Sequence, residues 1–192
     1  MTDWPAREAA PVSDDTSLVE AARGGDRAAY GRLYDRHARV VHGILLARVP
    51  PGEVDDLVQD VFLQALPRLG SLRDAARFGA WLAAIARNRA NDYYRRSRPT
   101  TELTETLPAD QTEDRAATSA EMAQAAAVLA AIRELPDAYH ETLILRLVEG
   151  MTGPEIAART GLTPGSVRVN LHRGMQQLRE KLGASSVKGS TL

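Results

Sequence analysis

Residues Thr152–Leu182 read TGPEIAARTGLTPGSVRVNLHRGMQQLREKL, two helices and the turn between them with their ends written in. Thr152, with Glu155 three residues on, forms a capping box that starts a short helix. Ile156 and Ala157 supply its inward face and Gly161 the turn. Thr163 offers a second N-cap, followed by Pro164 at the first helical position, where a missing N–H costs nothing. Val167, Leu171, Met175, Leu178 and Leu182 then recur at spacings of four, four, three and four, the stripe of a helix with one buried face. The opposite face carries Ser166, Arg168, Asn170, His172, Arg173 and Arg179, side chains suited to a DNA groove and its phosphates. The same pattern also describes a helical hairpin with a solvated basic face.

Upstream of this unit, apolar positions Leu129, Ile132 and Leu135 precede a break at Pro136, and Leu143, Ile144, Leu147 and Val148 lead to Gly150. Helices therefore span about 118–183, with 184–192 as a tail. Residues 100–117 are polar, acidic and Thr-rich, the composition of a flexible linker. Before it, Ser17 and Glu20 make a capping box for a short helix ending near Gly24-Gly25, and Asp26 caps a longer one. Its apolar positions are Tyr30, Leu33, Tyr34, Val41, Ile44, Leu45 and Val49, and Pro50-Pro51-Gly52 stops it. Val54, Leu57, Val58, Val61, Phe62 and Ala65 form the cleanest stripe in the chain, closed by Pro67. A loop over Arg68–Arg77 leads to Phe78, Trp81, Leu82 and Ile85, the buried side of a helix running to Arg98. Residues 17–99 thus form one helical domain, preceded by a loose tail over 1–16. The expected fold is all-α: two small helical domains joined by a flexible acidic linker, the second containing a helix-turn-helix.

The 192-residue chain has a net charge of −1, which hides segregation. Arg87–Arg98 carries five Arg against one Asp, whereas Thr100–Gln124 carries six acids against one Arg. There is no cysteine, so disulfides, thiol nucleophiles and Cys-ligated zinc are excluded. No apolar run approaches the ~20 residues of a membrane span, and the acidic N-terminus lacks a signal pattern. A soluble cytoplasmic protein is expected. His37, His42, His140 and His172 stand at no metal-ligand spacing, and no nucleophile–base pair or phosphate-cradling Gly-rich loop is present. Neither an enzyme nor a cofactor is expected.

Two further surfaces stand out. Asp56, Gln59, Asp60 and Leu63 lie at three- and four-residue steps opposite the apolar stripe of their helix, an acidic face that could dock on a basic partner or be solvated. In RNRANDYYRRSR (Arg87–Arg98), Asn88, Asn91, Tyr93, Tyr94, Arg95 and Arg96 combine amides, stackable rings and cations. That mixture suits melted nucleic acid, where Arg meets phosphates, rings hold unstacked bases and amides read base edges. The alternative is that the tyrosines pack and the arginines complement the helix dipole.

Taken together, YGRLYDRHARVVHGILLARV, DDLVQDVFLQAL, RFGAWLAAIARNRANDYYRRSR and LPDAYHETLILRLVEGMTGPEIAARTGLTPGSVRVNLHRGMQQLREKL, in this order, resemble the extracytoplasmic-function (ECF, group IV) sigma factors of bacterial RNA polymerase. The resemblance covers most of Leu18–Leu182. It implies that Asp56, Gln59, Asp60 and Leu63 dock on the clamp helices of the polymerase's largest subunit. It implies capture of flipped −10 bases by the Arg68–Arg77 loop and the helix after it, so that Arg73, Arg77 and Trp81 join Asn88, Asn91, Tyr93, Tyr94, Arg95 and Arg96. The linker would thread into the polymerase channels. In the second domain, Arg168, Val169 and His172 would face the −35 major groove, and Thr163, Ser166 and Arg173 would hold phosphates. Val169 and Asn170 depart from the common pattern of small hydroxyl and basic residues. Val can touch a thymine methyl and Asn prefers adenine edges, so no relative's −35 sequence transfers to this chain.

The resemblance thus implies a factor that binds core RNA polymerase and promoter DNA, with an anti-sigma factor as a further partner, and no membrane insertion or small-molecule substrate. The rival is a stand-alone helix-turn-helix regulator whose N-terminal unit dimerises or senses an effector. That rival gives no reason for Arg, Asn and Tyr to gather on a helix far from the DNA reader.

Overall fold

The computed structural model describes residues 15–96 and 116–188, and every regular element among them is helical. The first is α1 (Asp15–Arg23), which buries Leu18, Val19 and Ala22. It already includes Asp15 and Thr16, so Ser17 lies within its first turn and the expected Ser17–Glu20 capping box is not its start. Glu20 instead meets Arg23 at 2.5 Å. Asp15 pairs with His37 at 2.8 Å and Arg36 at 3.2 Å. Burial pushes the Asp15 carboxyl up, but these two partners outweigh it and hold it below its ordinary value.

Helix α2 (Arg27–Leu46) starts as read, with the Asp26 carboxylate accepting from the N–H groups of Ala28 and Ala29. Leu33, Val40, Val41, Ile44 and Leu45 are buried along it. Tyr34 is not: it is 37% exposed and lies over Phe62 with ring centroids 4.6 Å apart. Tyr30 donates its hydroxyl to the Phe62 carbonyl at 2.6 Å, and burial pushes that hydroxyl up to about 12. In α3 (Val54–Ala65) all six stripe positions are buried. Each large aliphatic or aromatic side chain so buried contributes about 1.5–3 kcal/mol, which explains why a 3-4 repeat this regular suffices to place the helix.

The Arg68–Arg77 segment is less irregular than its composition suggests. Two 3-10 turns, Leu66–Ser71 and Ala75–Arg77, frame it, the second capped by Asp74 on the Ala76 N–H. The Arg23 guanidinium donates to the carbonyls of Leu69 and Leu72 and ties the segment to α1. Helix α4 (Phe78–Arg96) follows, burying Phe78, Leu82, Ile85 and Ala86. Arg98 and residues 100–115 of the expected linker lie outside the described residues.

The second group contains α5 (Ala116–Arg133), α6 (Asp137–Leu147), α7 (Gly153–Thr160) and α8 (Pro164–Lys188). Pro136 separates α5 from α6 as the periodicity requires. Val167 and Leu178 of the long stripe are buried, with Leu171, Met175 and Leu182 packed half-buried against the core. The helix runs to Lys188, past Gly183, where the expected helical span ends. Helix α6 is unlike the others, because its six consecutive residues His140–Leu145 are all buried. A helix buried on all sides must have neighbours on all sides. It packs on α5 and α8 of its own group and on α2 of the first.

The two groups are therefore in contact, through α2 with α6 and through α4 with α7. At the α2–α6 crossing a Cβ on Gly43 would stand 2.6 Å from Leu145 Cδ2, so glycine is what permits the approach.

Candidate functional site

The helix-turn-helix is built as its residues specify. Thr152 accepts from the Glu155 N–H, and the Glu155 carboxylate accepts from the Thr152 N–H at 2.8 Å, a complete capping box. The hydrogen bond from the Thr152 backbone, which outweighs a small burial penalty, holds the Glu155 carboxyl below its ordinary value. Helix α7 ends at Gly161 with φ of 76°, the left-handed conformation that favours glycine. Thr163 caps α8 by accepting from the Ser166 N–H at 3.1 Å, while the two hydroxyls lie 2.8 Å apart. Arg168, His172 and Arg173 are exposed on α8, and Val169 is 46% exposed. Asn170 donates Nδ2 to the Ala138 carbonyl at 2.9 Å.

On α3, Asp56, Gln59 and Leu63 are exposed, Leu63 at 68%. An apolar side chain standing this free beside two polar ones is the make-up of a docking face. Asp60 differs from its neighbours, since its carboxylate takes the Arg89 guanidinium from α4 at 2.5 Å. It is thereby half-buried and structural as well as acidic.

Along α4 and the turns before it, Arg73, Arg77, Asn88, Asn91 and Arg95 are exposed, as is Tyr94 at 51%. Tyr93 packs half-buried against the core with its ring edge-on to Tyr94 at 5.5 Å, so Tyr94 presents the open face of the pair. Tyr94 donates its hydroxyl to the Arg48 carbonyl at 2.7 Å. Trp81 is half-buried against Phe78 at 5.9 Å. Arg95 meets Asp92 at 2.9 Å and Arg77 lies 3.9 Å from Asp74, both exposed pairs of small energetic weight. The Arg96 side chain lies outside the described residues.

The structure adds a set of residues that periodicity does not mark. Glu141 of α6 is 5% exposed and takes a bidentate fork from Arg87 of α4, Nε at 3.0 Å and a terminal nitrogen at 2.6 Å. Arg48, from the end of α2, closes on the same carboxylate at 2.9 Å. Glu149 is 8% exposed and meets His42 at 2.7 Å and Arg39 at 3.3 Å. Arg133 donates to the carbonyls of Leu46 and Val49, and Arg159 to that of Arg36. All of these bonds cross between the two groups. Their partners are far apart in sequence, so only the burial of α6 on every side could have signalled them.

A model of sigma-70 region 2 matches residues 33–100, and one of sigma-70 region 4 matches residues 125–178. The chain is 35% identical over 182 residues to the ECF RNA polymerase sigma factor BldN of Streptomyces coelicolor, covering 90% of this chain and 69% of that protein. It is 30% identical to the ECF RNA polymerase sigma-E factor of Escherichia coli, covering 88% and 94% respectively. The chain belongs to the ECF RNA polymerase sigma factors. Among solved structures, that of CnrH in complex with the cytosolic domain of CnrY superposes on this sigma factor with a TM-score of 0.62 at 30% identity, covering 88% of this chain and 97% of that one. Regions 2 and 4 give the sigma factor its role in promoter recognition during transcription initiation, and the stand-alone regulator, which accounts for region 4 alone, is not favoured. Among the described residues no helix is long and apolar enough to cross a membrane.

Proposed function

We propose that this sigma factor divides its work between the two helical groups. The first, residues 17–99, docks on core polymerase through Asp56, Gln59 and Leu63 and reads the melted −10 element with α4 and the turns before it. The second, residues 118–183, reads the −35 duplex with α8. Exposure carries this reading: the acidic face of α3, the amide and ring side of α4 and the Arg168–Arg173 side of α8 stand free of the core. Tyr94 offers the stacking face for an unpaired base, and Asn88 and Asn91 the amides beside it. Arg168 is placed to fork onto a guanine, with Val169 beside a thymine methyl. Asn170, occupied by Ala138, serves the packing of α8 first.

The factor performs no covalent chemistry of its own, works in the cytoplasm with the polymerase and needs no cofactor. CnrH is described in complex with the cytosolic domain of CnrY, and a protein partner, an anti-sigma factor, fits this chain as well. The deciding experiment is co-elution of the purified chain with bacterial core RNA polymerase at moderate salt without DNA, followed by transcription from a promoter library. Stoichiometric co-elution and selective initiation are expected. A chain that elutes alone yet shifts DNA by itself overturns the reading.

A further inference from the structure

Arg87, Asn91 and Tyr94 follow one another at steps of four and three along α4, a single side of the helix. In this structure that side faces the second group, with Arg87 half-buried against it and Asn91 and Tyr94 still exposed. Asn91, Tyr94 and Arg48 face Arg133, Asp137 and His140 across a cavity of about 470 Å³. At the other end of the contact Gly161 lies so close to α4 that a Cβ there would stand 2.9 Å from that of Ala80. Helix α7, eight residues long, is then all that separates α4 from α8, since it packs on both. The names of the two promoter elements place them about 25 base pairs apart, about 85 Å at 3.4 Å per pair. One short helix cannot bridge that distance, so the chain in this arrangement cannot read both elements. The backbone between Arg96 and Ala116, at about 3.4 Å per residue, is long enough to let the groups part.

What holds them together has the chemistry of what they must bind. The planar fork of Arg87 grips both oxygens of Glu141 as a guanidinium grips a phosphate, and Arg48 approaches the same carboxylate from a second element. Both arginines lie beside the Asn91–Tyr94 side of α4, where the backbone of a captured strand would run. We propose that Arg48 and Arg87 are a phosphate-binding pair for promoter DNA that Glu141 occupies in the closed chain, so that parting of the two groups exchanges an internal carboxylate for a DNA phosphate. This inference rests on the assignment of α4 to the −10 element.

The test uses the full chain without polymerase. Because it has no native cysteine, dyes can be placed at Ala28→Cys and Gln176→Cys, one exposed site in each group. Energy transfer between them reports closure, and binding to a fluorescent forked DNA of arbitrary sequence reports the phosphate contacts. Glu141→Gln keeps the shape and removes the charge. It should lower the transfer, tighten DNA binding about tenfold and steepen the salt dependence by up to ~0.9 in log–log slope for each phosphate gained. Adding Arg48→Ala and Arg87→Ala to that variant should abolish the gain. Unchanged transfer in Glu141→Gln overturns the proposal, as does opening without any gain in DNA affinity. Should Glu141→Gln lose its helical circular dichroism, the wild-type chain carries the test, because bound DNA must lower the transfer and DNA that binds without lowering it refutes the exchange. Neither readout involves polymerase, so failure here leaves the co-elution result standing, and failure of co-elution leaves this one standing.

Discussion

Arg168 is exposed on α8, and its residue-scale consequence is sharp. Arg168→Ala should cost about 1–3 kcal/mol in binding to the preferred −35 duplex and relax the preference at one base pair. A selection of −35 variants with wild type and mutant in parallel measures both, and an unchanged preference removes Arg168 from the reading set. Thr152 and Glu155 act on the same module from inside. Thr152→Ala should destabilise the chain by about 0.5–2 kcal/mol in urea unfolding, because the first turn of α7 loses its cap. Glu155 has a folded-state carboxyl held below its ordinary 4.5, so its contribution is present above that value and disappears as pH falls through the lowered one. The stability difference between wild type and Glu155→Gln should therefore shrink on acidification below 4.5, and a difference that grows would mean the cap is not what the carboxylate supports.

At the scale of elements, two glycines separate backbone conformation from packing. Gly25 and Gly161 both have positive φ, 94° and 76°, but a Cβ at Gly25 meets nothing within 4 Å while one at Gly161 meets Ala80 of α4. Gly25→Ala should lose only the about 1–2 kcal/mol of a left-handed non-glycine residue. Gly161→Ala should lose more and also loosen α7 from α4, so thermal melts and dye transfer of the two variants isolate the contact. On α3, Asp56→Lys should abolish co-elution with core polymerase while leaving helicity intact. Asp60 is a poorer probe, because reversing its charge also strands Arg89. These helices were largely legible beforehand. The stripe of α3 and the caps at Asp26, Thr152 and Gly161 are local, periodic or stereochemical signals, and each stands where the residues put it. The contact between the groups was not legible, because Glu141 and Arg87 lie 54 residues apart and opposite charges at that distance leave no periodic mark. The bond from Asn170 to Ala138 was illegible for a related reason: only the fold brings the two residues, 32 apart in sequence, within reach.

For the whole molecule the question is what sets the balance between the closed arrangement and one that spans a promoter. Glu141 is held by two arginines, so no histidine enters that contact. Glu149 is held by Arg39 and His42, and of these only the histidine titrates near neutrality. The hydrogen bond that His42 donates to Glu149 raises the imidazole above its ordinary 6.5; partial burial opposes this, and the charges of Glu149 and of Asp55 on α3 add to it. A group whose value is raised on closing contributes fully below its free value and loses that contribution as pH rises through the raised one. The closed arrangement should thus be tightest below pH 6.5 and relax as pH rises through the raised value, where His42 loses its charge and Glu149 keeps Arg39. Because Arg39 remains and His42 is only half-buried, the relaxation should be partial. Dye transfer in the full chain between pH 6 and 8.5 measures it, with His42→Gln expected to flatten the curve near the wild-type alkaline level. A wild-type curve that is flat, or that tightens as pH rises, would show that Glu149 and His42 do not help to close the chain.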